Sequence, residues 1–148
     1  MKIVRSDALN PDFIKLVKYL DEELTIRDGD NHVFYAQFDK IDNIRYTVIM
    51  YENDTPIGCG AIKKYGAGTM EVKRIYIKRE NRGNGAAAII LKELESWANE
   101  LGYKKCILET GTNNPEAIGL YKKNGYRVIV NYSQYAGIET SVCFEKDL

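Results

Sequence analysis

The sequence predicts an α/β (α+β) fold: a mixed, mostly antiparallel sheet of six to seven strands, flanked by about four helices, with one parallel crossover. Three observations carry this. First, Val72 to Ala88, VKRIYIKRENRGNGAAA, reads as a strand, a glycine turn and a helix start. Second, two strand-like runs joined by a polar turn precede it, which is the pattern of an antiparallel meander. Third, the helix after the glycine turn leads to a short apolar strand, Lys105 to Glu109, and such a strand-helix-strand unit is parallel and right-handed.

Taken in order, Lys2 to Arg5 is a short strand, and Asn10-Pro11 starts a helix with Asn10 as N-cap and proline in the first turn. Phe13, Leu16, Val17, Leu20 and Leu24 form one apolar stripe, and Arg27 to Asn31 ends the helix. His32 to Asn43 fits neither period and reads as a short helix or ordered loop. Tyr46 to Tyr51 and Pro56 to Lys63 are strands around the turn Glu52 to Thr55, and a second turn, Tyr65 to Thr69, enters the central strand from Met70. The helix from Ala86 presents Ile89, Ile90, Leu94, Trp97, Ala98 and Leu101, with Gly102 as its stop. Asn114-Pro115 repeats the cap signature for a last helix that stops at Asn124-Gly125, and Tyr126 to Val130 and Glu139 to Glu145 are a closing pair of strands.

Length and composition set outer bounds. A chain of 148 residues fits one domain, here residues 1–148, and 45% hydrophobic with 28% charged residues describes an ordinary globular protein. A formal net charge of +0 offers no overall attraction to nucleic acid or an anionic membrane. No apolar run reaches the length of a membrane span, and the N-terminus lacks the core of a secretion signal, so the cytoplasm is the expected location. Cys59, Cys106 and Cys143 each sit in an apolar segment and read as free buried thiols, and with His32 the single histidine, no metal is expected.

The chemistry concentrates at the glycine turn. A helix N-terminus presents unpaired amides and the positive end of the peptide dipole, which together attract phosphate. Gly83 and Gly85 leave the backbone bare, Arg82 adds a fixed charge, and Asn84, Ala86 and Ala87 complete the cradle; the competing reading is that the glycines only permit a tight turn. Gly83 to Ala88 also fits the dinucleotide pattern GxGxxA, but that fingerprint belongs on the first strand of a doubly wound sheet, and here it follows a meander. A second feature is the acidic stretch from Asp21 to Asn43, with interleaved aromatics, which is either a solvated surface or an attraction for a cationic substrate.

Arg82-Gly83-Asn84-Gly85-Ala86-Ala87 after a strand, followed by Asn114, Ala117, Leu120, Tyr121, Gly125 and Tyr126, resembles the GNAT superfamily of N-acetyltransferases, and the order of elements matches over essentially the whole chain. The resemblance implies acetyl-CoA as co-substrate, bound where the fourth and fifth strands splay apart, and an amine of a small molecule or peptide as acceptor. The family's phosphate motif is met by Arg82, Gly85 and Ala87, whereas the alternative register would put Glu80 in the first position. Glu71 resembles the glutamate that serves as base in part of the family, the alternative being a solvated strand-end carboxylate. Tyr121 occupies the position of the family tyrosine that protonates the leaving sulfur, the alternative being a core aromatic with a hydrogen-bonded hydroxyl. Ile75, Tyr76 and Ile77 are expected to offer backbone groups to the pantetheine arm, as a strand edge does to an added strand. Asn114 is an N-cap and a possible contact to that arm. The acceptor pocket is expected between the first helix, the loop after it and the last hairpin loop, with Tyr35, Tyr132 and Tyr135. A non-catalytic acyl-CoA-binding sensor is the alternative function, and pairing of an exposed final strand is a route to a homodimer.

Overall fold

The computed structural model describes residues 1–28 and 44–148. Its strands are β1 (Lys2–Ser6), β2 (Tyr46–Glu52), β3 (Thr55–Gly66), β4 (Thr69–Ile77), β5 (Lys105–Gly111), β6 (Arg127–Ile129) and β7 (Ser141–Asp147). Its α-helices, among the described residues, are α1 (Pro11–Asp28), α2 (Ala86–Glu100) and α3 (Pro115–Lys123). The expected helix or loop over residues 32–43, Tyr35 included, lies outside the described residues. No described helix is long and apolar enough to cross a membrane.

The seven strands form one sheet in the order β1-β2-β3-β4-β5-β7-β6, antiparallel except where β4 meets β5. The chain supplies the turns directly: Asn53 and Asp54 both take positive φ between β2 and β3, the geometry a two-residue hairpin requires. One expectation is corrected here. The final strand β7 is not exposed but lies between β5 and β6, so the sheet edge on that side is β6, with Val128 55% exposed.

The two faces of the sheet are covered by different helices. α1 starts as its sequence predicts, Asn10 Oδ1 accepting from the Asp12 amide at 2.9 Å, and buries Phe13, Leu16 and Val17 against Ile49, Cys59, Ala61 and Tyr76. α2 buries Ile90, Leu91, Leu94 and Ala98 on the opposite face, against Val48, Ile62, Met70, Val72 and Ile77. Ile89 and Leu101, assigned above to that stripe, are 41% and 40% exposed, because the buried arc is centred on Leu91 and Leu94. Gly60 of β3 lets α2 come this close: a Cβ there would lie 2.8 Å from Leu94 Cδ1 and 2.7 Å from Ile75 Cδ1. All three cysteines are buried free thiols.

Candidate functional site

Two irregularities of β4 make the site. β4 pairs with β5 only through Thr69, Met70 and Glu71, against Lys105, Cys106 and Ile107. Beyond Ile107 the two strands part, and the edge of β4 facing β5 stays open from Val72 to Ile77. The other irregularity is a bulge: Cys59 faces Tyr76 and Ala61 faces Lys73, so that Arg74 and Ile75 together oppose Gly60. Arg74 takes φ 62°, a left-handed conformation disfavoured for a residue with a side chain by about 1–2 kcal/mol.

The extra residue reverses the alternation. Met70 and Val72 before the bulge, and Ile75 and Ile77 after it, point to the α2 face, whereas Glu71, Lys73, Arg74 and Tyr76 share the α1 side. A charged wall follows from a one-residue insertion.

The wedge between β4 and β5 holds two cavities that share Leu20 and Leu24 of α1, Ile75 of β4 and Asn114, Ala117 and Leu120 at the start of α3. The end of α1 is tied to α3's entry loop, since Arg27 donates to the Asn113 carbonyl at 3.0 Å and Asn113 Nδ2 donates to the Arg27 carbonyl at 2.6 Å. Leu24 therefore lines this space, together with Leu20, which also packs at the edge of the core under α1.

The larger cavity, about 390 Å³, runs from Ile75, Tyr76 and Ile77 to the glycine turn. Gly83 and Gly85 take φ 85° and 83°, and a Cβ at either would meet nothing within 4 Å, so glycine is required by conformation and not by space. Asn84 Oδ1 accepts from the Ala86 amide at 3.2 Å, and the amides of Gly83, Asn84, Gly85, Ala87 and Ala88 have no acceptor among the described residues. Arg82 departs from expectation. Its Nε donates to the Ile77 carbonyl at 2.8 Å and its NH2 to Glu23 at 2.8 Å, with the guanidinium 5.5 Å from the Tyr76 ring centre. The pair with Arg82 holds the Glu23 carboxyl below its usual range. Arg82 thus holds the turn against β4 and α1, with its charge already matched.

The smaller cavity, about 170 Å³, is lined by Glu71, Lys73, Arg74, Glu109, Tyr121 and Tyr135, among others. Glu71 is the third residue of β4 and is buried, 8% exposed, so the solvated strand-end reading does not hold. It accepts from the Tyr132 hydroxyl at 2.7 Å, and Lys73 Nζ lies 3.8 Å from its other oxygen. Burial first, and the Glu71 charge second, push the Tyr132 hydroxyl far up, so it remains the donor in that bond. Tyr132 stands edge-on to Tyr65 and Tyr135, which fixes its ring.

Tyr121 is buried between Tyr126 and Phe144, at ring separations of 5.8 and 5.9 Å. Burial, with Glu109 adding to it, pushes its hydroxyl well above the usual phenol range, so the proton stays on at neutral pH. That hydroxyl makes no hydrogen bond to a described residue, which leaves the proton for something else in the cavity. Asn114 is the cap its sequence predicts, accepting from the Ala117 amide at 3.2 Å.

Glu109 and the pair Lys73 and Arg74 are cavity residues that sequence reasoning missed. In a regular strand Lys73 and Arg74 would lie on opposite faces, and the bulge places both on one side. Of the acidic stretch, Asp21 faces Arg74 and Glu23 faces Arg82, while its residues 29–43 lie outside the described residues.

Comparison with known proteins gives this geometry a context. Residues 12–126 match the model of the Acetyltransferase (GNAT) family. The uncharacterized N-acetyltransferase YjcF of Bacillus subtilis strain 168 is 32% identical over 123 residues, 82% of this chain and 84% of the relative. An acyl-CoA N-acyltransferase structure from Klebsiella pneumoniae superposes with a TM-score of 0.82 at 27% identity, covering 99% of this chain and 97% of the other. The PaiA N-acetyltransferase of Thermoplasma acidophilum, solved in complex with coenzyme A, shares the fold at a TM-score of 0.75 and 18% identity over the full length of both chains.

Proposed function

The chain belongs to the acetyltransferase (GNAT) family and is an acetyltransferase, and we propose that it moves the acetyl group of acetyl-CoA directly to an amine of a small molecule or peptide, with Glu71 as base and Tyr121 as acid. The observation that supports this reading most is the meeting of the two cavities at Ile75, between a turn of unpaired amides and a buried carboxylate.

The pyrophosphate of the co-substrate binds the amides of Gly83, Asn84, Gly85 and Ala87, where the α2 dipole adds to their donors. The Ala86 amide contributes through Asn84, whose side chain turns aside to free it, and Arg82 shapes the turn. The pantetheine arm lies along the open edge of β4 at Ile75 and Tyr76, with Asn114 opposite. Ile77 contributes less, since Arg82 already occupies its carbonyl. This brings the thioester beside Ile75, where the cavities join.

An alkyl ammonium has a pKa of about 10.4 and is no nucleophile until it loses a proton. Glu71 takes that proton, its carboxylate oriented by Tyr132. The neutral nitrogen then bonds to the acetyl carbon, a backbone amide of the β4 edge faces the oxyanion, and the carbon-sulfur bond breaks as Tyr121 gives its proton to the thiolate. The extra proton on the acylated nitrogen departs to restore Tyr121, and a neutral amide remains. Glu71 and Tyr121 on one cavity favour transfer over non-catalytic acyl-CoA binding.

Calorimetry with acetyl-CoA, and release of thiol with a panel of amines, test this. Tyr121→Phe is expected to lower kcat by about tenfold and leave coenzyme A affinity unchanged, because a thiol of pKa about 8.5 is already a fair leaving group. A fully active Tyr121→Phe enzyme would remove the acid from the mechanism, and absence of coenzyme A binding would remove the reading itself.

A further inference from the structure

Arg74 is the one buried cation whose donors are left unused among the described residues. Its side chain is only 3% exposed, its Nε and NH2 are shut off from solvent without an acceptor, and its remaining nitrogen makes a 3.3 Å contact to Asp21, whose side chain is 52% exposed. A buried guanidinium with two idle donors is costly, and native structures keep such a group where a partner arrives. The bulge sharpens the point, since the chain accepts a left-handed residue at Arg74 and thereby turns this side chain toward the α1 side, where Glu71 and Lys73 also lie.

The smaller cavity is therefore two-signed. Glu71 with Tyr132 offers a place for a cationic nitrogen, and Arg74 with Lys73 offers a place for an anion on the same strand, two or three residues away. The planar fork of a guanidinium suits a carboxylate, which can accept from Nε and NH2 together.

We infer that the acceptor carries a carboxylate as well as an amine, and that Arg74 receives the carboxylate while the amine faces Glu71. This rests on the acetyl-transfer reading above and narrows its substrate to amino-acid-like amines. The half-exposed Asp21 contact, long for a charged hydrogen bond, is what the guanidinium gives up as it turns to the ligand. Lys73, beside Glu71, screens the second carboxylate oxygen.

The test compares three sets of acceptors: amino acids, the matching amides, and the matching amines without the carboxyl group. The wild-type enzyme is expected to show kcat/KM at least about tenfold higher for the acids, carried by KM, as for loss of a charge-assisted hydrogen bond. Arg74→Gln is expected to erase that preference and Arg74→Lys to keep part of it, with acetyl-CoA affinity measured by calorimetry unchanged in both. Equal or better turnover of the amides, or a preference that survives Arg74→Gln, overturns the inference. If Arg74→Gln does not fold, binding of an N-acetylated amino acid and of its amide to the wild-type protein with coenzyme A decides, and tighter binding of the acid is required. If no member of the panel is acetylated the inference falls, and the acetyl-CoA calorimetry shows whether the transfer reading falls with it.

Discussion

The two faces of β4 are built from the same nine residues and do opposite work. Toward α2 it presents Met70, Val72, Ile75 and Ile77, packed on Ile90, Leu91 and Leu94 with no room for a Cβ on Gly60. Toward α1 it presents Tyr76, which packs into the core under that helix, and Glu71, Lys73 and Arg74, and the space beside these three is a cavity instead of a core. One face holds the strand in place so that the other can keep charged groups at fixed positions. A bulge is the device that allows both, since a regular strand would have sent Arg74 into the α2 core.

The comparison predicts that substitutions on the two faces fail in different ways. Glu71→Gln should cost about a hundredfold to ten-thousandfold in kcat, the usual range for a general base, while the melting temperature changes little. Preserved turnover with Gln at this position would end the base assignment. On the other face, Leu94→Ala should lower stability by about 2–5 kcal/mol in denaturant titration and leave the activity of the folded fraction nearly intact. A selective loss of activity there would mean that the faces are coupled.

Much of this fold was legible from the residues. Asn10 and Asn114 before prolines announced their caps, Asn53 and Asp54 announced the hairpin, and the glycine turn announced an α2 start with bare amides. What the sequence left out shares a cause: each feature depends on a partner remote in sequence. Arg82 and Glu71 were named from the residues, but the pairing of Arg82 with Glu23 and Tyr76, the bond from Tyr132 to Glu71 and the bulge opposite Gly60 are contacts that local periodicity does not reveal. The edge position of β6 is likewise a property of strand order, which a closing hairpin leaves open.

Two smaller effects sharpen the picture. Tyr132→Phe should lower kcat by about tenfold by freeing the Glu71 side chain, with little change in KM for acetyl-CoA, and an unchanged kcat would show that Glu71 is held by packing alone. Glu23→Gln should act through pH. Its Arg82 partner holds the Glu23 carboxyl below the usual carboxylate value of 4.5 in the folded chain, so its contribution is fully present above that value and is lost as pH falls through the lowered one. The variant should therefore be slightly less stable near neutrality and show a shallower acid limb, read by melting temperature against pH. Identical curves would mean that the Arg82 pair adds nothing to stability.

The short pairing between β4 and β5 has a mechanical consequence. With Thr69–Glu71 alone fastened to Lys105–Ile107, the sheet is a pair of half-sheets clasped at one end, β1 to β4 on one side and β5 to β7 on the other. Whatever lies along the open length touches both halves, so occupancy there also braces the molecule against opening, and ligand affinity is drawn from the same free energy that keeps the clasp shut.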